Sequence, residues 1–297
     1  MLFLGEISAL AAALLWSFNS ISLTEATVRV GSVLVNIARM FFASFYLIIT
    51  ILLLGASFDL SSSQYFNLII SGFIGLIAGD TFLLKSLEQI GARLGMLLMS
   101  LAPPISAVLA FIFLNEVLSL TAVIGIAVTL LGVAFVILDK GQKAQPRKFN
   151  LAGVVFGILA ATGQATGLIF AKEAFYEGPL DEFVAAFIRI FTSTIALYFV
   201  ARLFGKIKNP VRVYKNDPVA FKHTIWASIL GPYLGITASL LAVAHTKVGI
   251  AATLMATMPI LMLPISKYYY KEKLTWKAIL GAFIAVGGVS LLFINDI

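Results

Sequence analysis

The sequence predicts an all-α integral membrane protein whose ten transmembrane helices form an inverted five-plus-five repeat. Three observations predict it. Of 297 residues, 60% are hydrophobic and 12% charged, about half the charged share of a soluble domain. The mean hydropathy is +1.01. Ten segments reach the roughly 20 apolar residues that a helix needs to cross a hydrocarbon core of about 30 Å, and the second half of the chain repeats the first. A soluble fold of this size has too little interior to hide so much apolar surface, which excludes a cytosolic enzyme or a secreted domain.

The spans are 4–23, 32–55, 65–89, 93–113, 119–138, 151–171, 182–204, 223–244, 249–268 and 275–294. The first carries Glu6 and no Lys or Arg. It therefore lacks the positive n-region of a signal peptide and reads as a span. The apolar runs are continuous rather than alternating, so they are helices and not barrel strands.

Ten helices divide the loops into two sets. The loops after spans 1, 3, 5, 7 and 9, with the adjoining span ends, hold seventeen Lys and Arg, from Arg29 and Arg93 to Lys273 and Lys277. The other set has Lys172 and Lys247 beside the acidic Glu173, Glu177, Asp181 and Glu182. The positive-inside rule places the first set in the cytoplasm and both termini outside the cell (plasma or inner) membrane.

Shifted by 156 positions, residues 72–138 align on 228–294 without a gap, matching Gly75 with Gly231, Gly79 with Gly235, Thr81 with Thr237, Pro103 with Pro259 and Gly132 with Gly288. A shift of 148 sets Gly5 on Gly153 and Glu25 on Glu173, and one of 150 sets Arg39 on Arg189. The units are 1–140 and 151–297, joined by the polar linker 141–150 on the cytoplasmic side. Five spans is an odd number, so the second unit enters the membrane upside down. Inverted repeats with a site at their interface mark secondary transporters.

The stretch Gly79-Asp80-Thr81, Ile90-Gly91-Ala92, Pro103, Leu114-Asn115-Glu116, Gly125 and Gly132 resembles the EamA-type repeat of the drug/metabolite transporter superfamily. The second copy, with Ala244, Ala251-Ala252, Pro259, Lys271-Glu272, Gly281 and Gly287-Gly288, resembles it again. The resemblance covers nearly the whole chain. It implies a ten-helix carrier, in a family that exports amino acids, other metabolites or drugs.

Several residues are candidates for contact with a substrate. Pro103-Pro104 in span 4 and Pro259 and Pro264 in span 9 read as broken helices lining a cavity, or as packing kinks. Met99 and Thr257 are their neighbours. Arg39 and Arg189 lie about 10 Å inside spans 2 and 7, and either guanidinium is suited to grip a carboxylate, to snorkel or to bond a helix end. Asp80, deep in span 3, has Ile236 as its repeat mate; it is placed to pair with Lys85 or Arg39, or to exchange a proton. Lys85 and Glu88 share a helix face. Trp16, Asn19 and Gln164 on spans 1 and 6, and Tyr233, Thr237 and Thr253 on spans 8 and 9, are polar groups that line a wet cavity or glue helices together.

There is no Cys, no HExxH, no GxSxG, no Gly-Lys-Ser/Thr phosphate loop and no His cluster. No cofactor or metal is expected, and no enzymatic activity. The reading is a secondary transporter, an exporter of a small organic metabolite such as an amino acid, working by alternating access. Its partners are a small-molecule substrate, the lipid bilayer and, as a candidate coupling ion, protons; no nucleic acid is expected. The alternatives are an intramembrane lipid-modifying enzyme and a non-transporting membrane assembly protein.

Overall fold

Inside hydrocarbon, backbone N–H and C=O groups must be bonded within the protein. The computed structural model describes residues 3–138, 150–205, 209–268 and 275–294, and all regular structure among them is helical. The helices are α1 (Leu4–Val30), α2 (Ser32–Leu54), α3 (Ser62–Ser71), α4 (Asp80–Met99), α5 (Ala102–Leu114), α6 (Leu120–Leu138) and α7 (Leu151–Tyr176). There follow α8 (Glu182–Leu203), α9 (Pro210–Asn216), α10 (Pro218–Ser228), α11 (Leu234–His245), α12 (Val248–Met255), α13 (Met258–Tyr268) and α14 (Trp276–Ile294). Two π-helical segments, Gly72–Gly79 and Ile229–Tyr233, join α3 to α4 and α10 to α11.

Seven helical runs are long and apolar enough to cross a membrane: Leu4–Val30, Ser32–Leu54, Ser62–Leu83, Leu151–Tyr176, Glu182–Leu203, Pro218–His245 and Val248–Ile265. Ala102–Leu114, Leu120–Phe135 and Trp276–Leu291 are shorter apolar helices. The chain is thus a multi-pass membrane protein, in which seven of the ten expected spans reach full crossing length among the described residues. Its outward face is apolar, as lipid requires: Leu53 is 81% exposed, Leu203 82% and Phe283 73%.

Local signals fix where the helices start and stop. Ser61 and Gln64 form a reciprocal capping box at α3. Asp181 accepts from the N–H groups of Phe183 and Val184 at α8, and Asn150 from Ala152 at α7. Gly31 and Gly55 take positive φ (97° and 67°) where α1 and α2 end.

Two boundaries differ from the sequence reading. Backbone helix runs through 90–92, where a turn between spans 3 and 4 was expected. Yet a Cβ at Gly157 would lie 2.9 Å from Leu98 Cβ and 3.0 Å from Ser86 Oγ. A straight helix would hold residues 86 and 98 about 18 Å apart, so α4 folds back on itself between them. Pro103 and Pro104 stand in the first turn of α5 rather than inside a helix. Proline suits that turn, whose N–H groups have no helical partner. The break itself falls at residues 100–101, and its repeat equivalent at 256–257 separates α12 from α13.

The halves exchange their first helices. α1 packs on α10, α11 and α12, and α7 on α3, α4 and α5, while α2 packs on α8 and α6 on α14. Small residues permit these approaches. A Cβ at Gly132 would collide with the backbone N of Ala285, and one at Gly288 with that of Thr129. Those contacts are the same pair of repeat positions read in both directions. Likewise Gly79 abuts Gln164 and Gly235 abuts Trp16, while Gly75 abuts Gly167 and Gly231 abuts Asn19.

Gly132→Ala is expected to destabilise the protein by about 1–3 kcal/mol, because the new methyl meets backbone. Gly287→Ala, with nothing within 4 Å of its Cβ position, is expected to stabilise by about 0.5–1 kcal/mol through helix propensity. Thermal unfolding in detergent checks both, and equal effects would refute the close crossing.

Candidate functional site

A cavity of about 450 Å³ lies between the two halves. One wall comes from the first half: Trp16, Asn19 and Ser20 of α1, Asn36, Arg39 and Met40 of α2, and Asp80 and Leu83 of α4. Met99, Ser100, Ala102 and Pro103, at the break before α5, complete it. The second half contributes Gln164, Leu168, Arg189, Gly231, Pro232, Ile236, Ser239, Met255 and Met258. Most of this surface is apolar, and the few polar groups converge from both repeats, the usual composition of a small-molecule site.

The lining reaches Thr27 and Ser32, where α1 gives way to α2. At the other end of α1, Gly5 packs against Thr246. Residues 5 and 27 are about 33 Å apart along a helix, so the Thr27–Ser32 part of the lining and the 246 region occupy opposite ends of α1. Several helix termini pack together at the 246 end. Lys172 Nζ donates to Val243 O at 2.7 Å and Thr246 O at 3.2 Å, and lies 4.0 Å from Glu116 Oε1. Glu116 accepts from Tyr176 OH at 2.9 Å and from the Val248 N–H at 2.8 Å. A cation thus meets the carbonyl end of α11 and an anion the amide end of α12, each favoured by the helix dipole. Lys172 and Tyr176 stand one turn apart on α7, but nothing in the sequence alone brings Glu116 to them. The only signal is a buried-length polar residue at each span end.

Within the cavity, Arg39 Nη2 is 3.7 Å from Asp80 Oδ2, and Arg39 Nε donates to Asn36 Oδ1 at 2.8 Å. Asp80 Oδ1 also accepts from Gln164 Nε2 at 3.1 Å, and the same Gln164 amide reaches Gly75 O at 3.3 Å. Asp80 therefore pairs with Arg39 and not with Lys85, whose Nζ stands 5.1 Å over the Phe156 ring. Arg189 is 3% exposed, and its Nε has no hydrogen-bond partner among the described residues. Asn19 Oδ1 is likewise buried without a partner among them.

Eight of the twelve candidate residues line the cavity: Trp16, Asn19, Arg39, Asp80, Met99, Pro103, Gln164 and Arg189. The other four stand outside its wall, with their hydroxyls bonded elsewhere. Tyr233 OH lies 2.8 Å from Thr50 Oγ1. Thr237 donates to Tyr233 O at 2.5 Å, Thr253 to Gly249 O at 2.7 Å and Thr257 to Leu254 O at 2.6 Å. The side chains of Glu88, Arg93 and Pro259, and residues 140–149, 206–208 and 269–274 with Lys271, Glu272 and Lys273, lie outside the described residues. Sequence reasoning missed Asn36 and Pro232. Pro232, inside an apolar run beside Gly231, carried a readable signal.

The EamA-like transporter family model matches residues 3–138 and again 151–294. The chain belongs to that family. It is 29% identical over 150 residues to Protein LicB of Haemophilus influenzae (strain ATCC 51907 / DSM 11121 / KW20 / Rd), a match covering 49% of this chain and 48% of LicB. The chain thus spans about half the length of that curated relative. A crystal structure of a protein 17% identical superposes with a TM-score of 0.79 over 98% of this chain and 97% of the other, which shows a shared fold. As a member of the EamA-like transporter family, with several apolar helices long enough to cross a membrane, the protein is a multi-pass membrane protein.

The ion pair can be tested directly. Arg39→Met and Asp80→Leu are each expected to cost about 1–3 kcal/mol, because each strands a polar partner. The double variant should lose less than the sum in a double-mutant cycle of unfolding in detergent. Simple additivity would mean that the two side chains are not coupled.

Proposed function

We propose that the protein is a secondary transporter that exports a small organic metabolite, of which an amino acid is one instance, by alternating access between inverted halves. The observation that carries this reading is the cavity between the halves, lined by polar groups that converge from both repeats. The charge bias of the loops favours a cytoplasmic side for the Thr27–Ser32 end and an exterior side for the Glu116–Lys172–Tyr176 cluster. Export requires the outer cluster to part while the inner ends of α1 and α2 close, and substrate binding drives this only if it favours one state over the other.

The aligned small-residue crossings support a rocking motion, since backbone-to-backbone contacts slide without side-chain interdigitation. Asp80, bonded to residues of both halves through Arg39 and Gln164, is the acid through which a proton would couple to that motion. The drive, if it is a proton, passes through a group that both repeats hold.

Purified protein in liposomes should move at least one compound, chemically unchanged, from a panel of amino acids, organic acids, amines and sugars followed by mass spectrometry. Arg39→Ala and Asp80→Asn should reduce that flux roughly tenfold or more while folded protein is retained. The chain has no Cys, so single-cysteine variants report orientation cleanly. Ser32→Cys should react with an impermeant thiol reagent only from the cytoplasmic face, and Asp59→Cys only from outside. The opposite pattern would overturn the assigned direction of export.

A further inference from the structure

We infer that Arg189 is the docking point for a carboxylate, and that the cavity takes small organic monocarboxylates with an apolar body. The inference rests on the transporter reading and names the substrate class of the same site. It follows from a break in the repeat symmetry. Arg39 and Arg189 occupy matching places in the two halves, seven residues into α2 and α8. Arg39 is neutralised by Asp80. At the position matching Asp80 the second half has Ile236, and Ile236 lines the cavity. Arg189 consequently faces the cavity with no carboxylate within ion-pair distance among the described residues.

A guanidinium stays protonated in proteins, and an unpaired buried charge is strongly unfavourable. The protein keeps one at a place where the fold already shows how to neutralise it. The group reaches across to the other half: a Cβ at Gly75 would sit 3.6 Å from Arg189 Nη2, in ordinary van der Waals contact. The charge count selects the ligand. Arg39 and Asp80 cancel, Arg189 leaves one positive charge, and a single carboxylate restores neutrality with two parallel N–H···O bonds. A phosphate dianion would leave a surplus negative charge between walls made of Leu76, Leu168, Met255 and Met258.

The test is thermal unfolding of the full-length protein in detergent with two pairs of probes: hexanoate and hexanamide, and 3-phenylpropionate and 3-phenylpropionamide. At least one carboxylate should raise the melting temperature by mass action, and its amide should not. Arg189→Met should abolish that shift and Arg189→Lys should keep a weaker one. Arg212→Gln, at an exposed residue outside the cavity lining, should leave it unchanged. The ligand-free Arg189→Met protein should melt higher than the parent, because the unpaired charge is gone. A shift retained in Arg189→Met, shifts from amides alone, no shift from any carboxylate, or a lower melting temperature of ligand-free Arg189→Met would each overturn the proposal. Failure here with flux of an amine or a sugar in liposomes would leave a transporter of a different substrate class. Failure of flux for every compound would instead remove the transporter reading itself.

Discussion

Hydrocarbon offers no water to a polar atom, and this one constraint organises the molecule. It forces the backbone into helices and then governs each polar side chain. Hydroxyls fold back onto their own helices: Ser44 onto Met40 O, Thr129 onto Gly125 O, Thr194 onto Ile190 O. Lys172 spends its protons on the carbonyls that end α11. Asp80 is held from both sides. Among the described residues, buried polar atoms of Asn19, Gln89, Ser106, Arg189, Ser193 and His223 have no hydrogen-bond partner, and of these Asn19 and Arg189 line the central cavity.

Much of the fold was legible because its signals are local or periodic. Span length follows from bilayer thickness, and the 156-residue shift turned scattered glycines into matched pairs before any contact was known. Those pairs are the helix crossings: Gly132 with Ala285, Gly288 with Thr129. Arg39, Asp80 and Gln164 were visible as charges and amides inside apolar runs, and they converge. Tyr233, Thr237, Thr253 and Thr257 looked equivalent to them, yet they turn away from the cavity. Composition cannot say which side of a helix a residue occupies when both sides are apolar. The Glu116–Lys172–Tyr176 cluster was hidden for another reason: its members come from two helix ends distant in sequence, those of α5 and α7, and each alone looks like an interfacial residue.

The repeat also shows what duplication allows. Two copies of one packing scheme provide two matching arginines. A single difference, Asp80 in one copy and Ile236 in the other, makes one of them a structural partner and leaves the other available. The scaffold stays symmetric in its crossings while the chemistry does not.

The π-helical segments carry a further consequence. They recur at overlapping repeat positions, Gly72–Gly79 and Ile229–Tyr233, the first ending directly before Asp80 and the second two residues short of Ile236. A widened turn takes up about one residue more than an α-turn, and each residue turns the helix by about 100°. The azimuth of everything downstream is therefore set by slack upstream. The direction in which Asp80 meets Arg39 thus depends on the winding of the chain ahead of it. Deleting a residue in that stretch would turn the acid by about 100° about the helix axis, although no functional side chain had been touched.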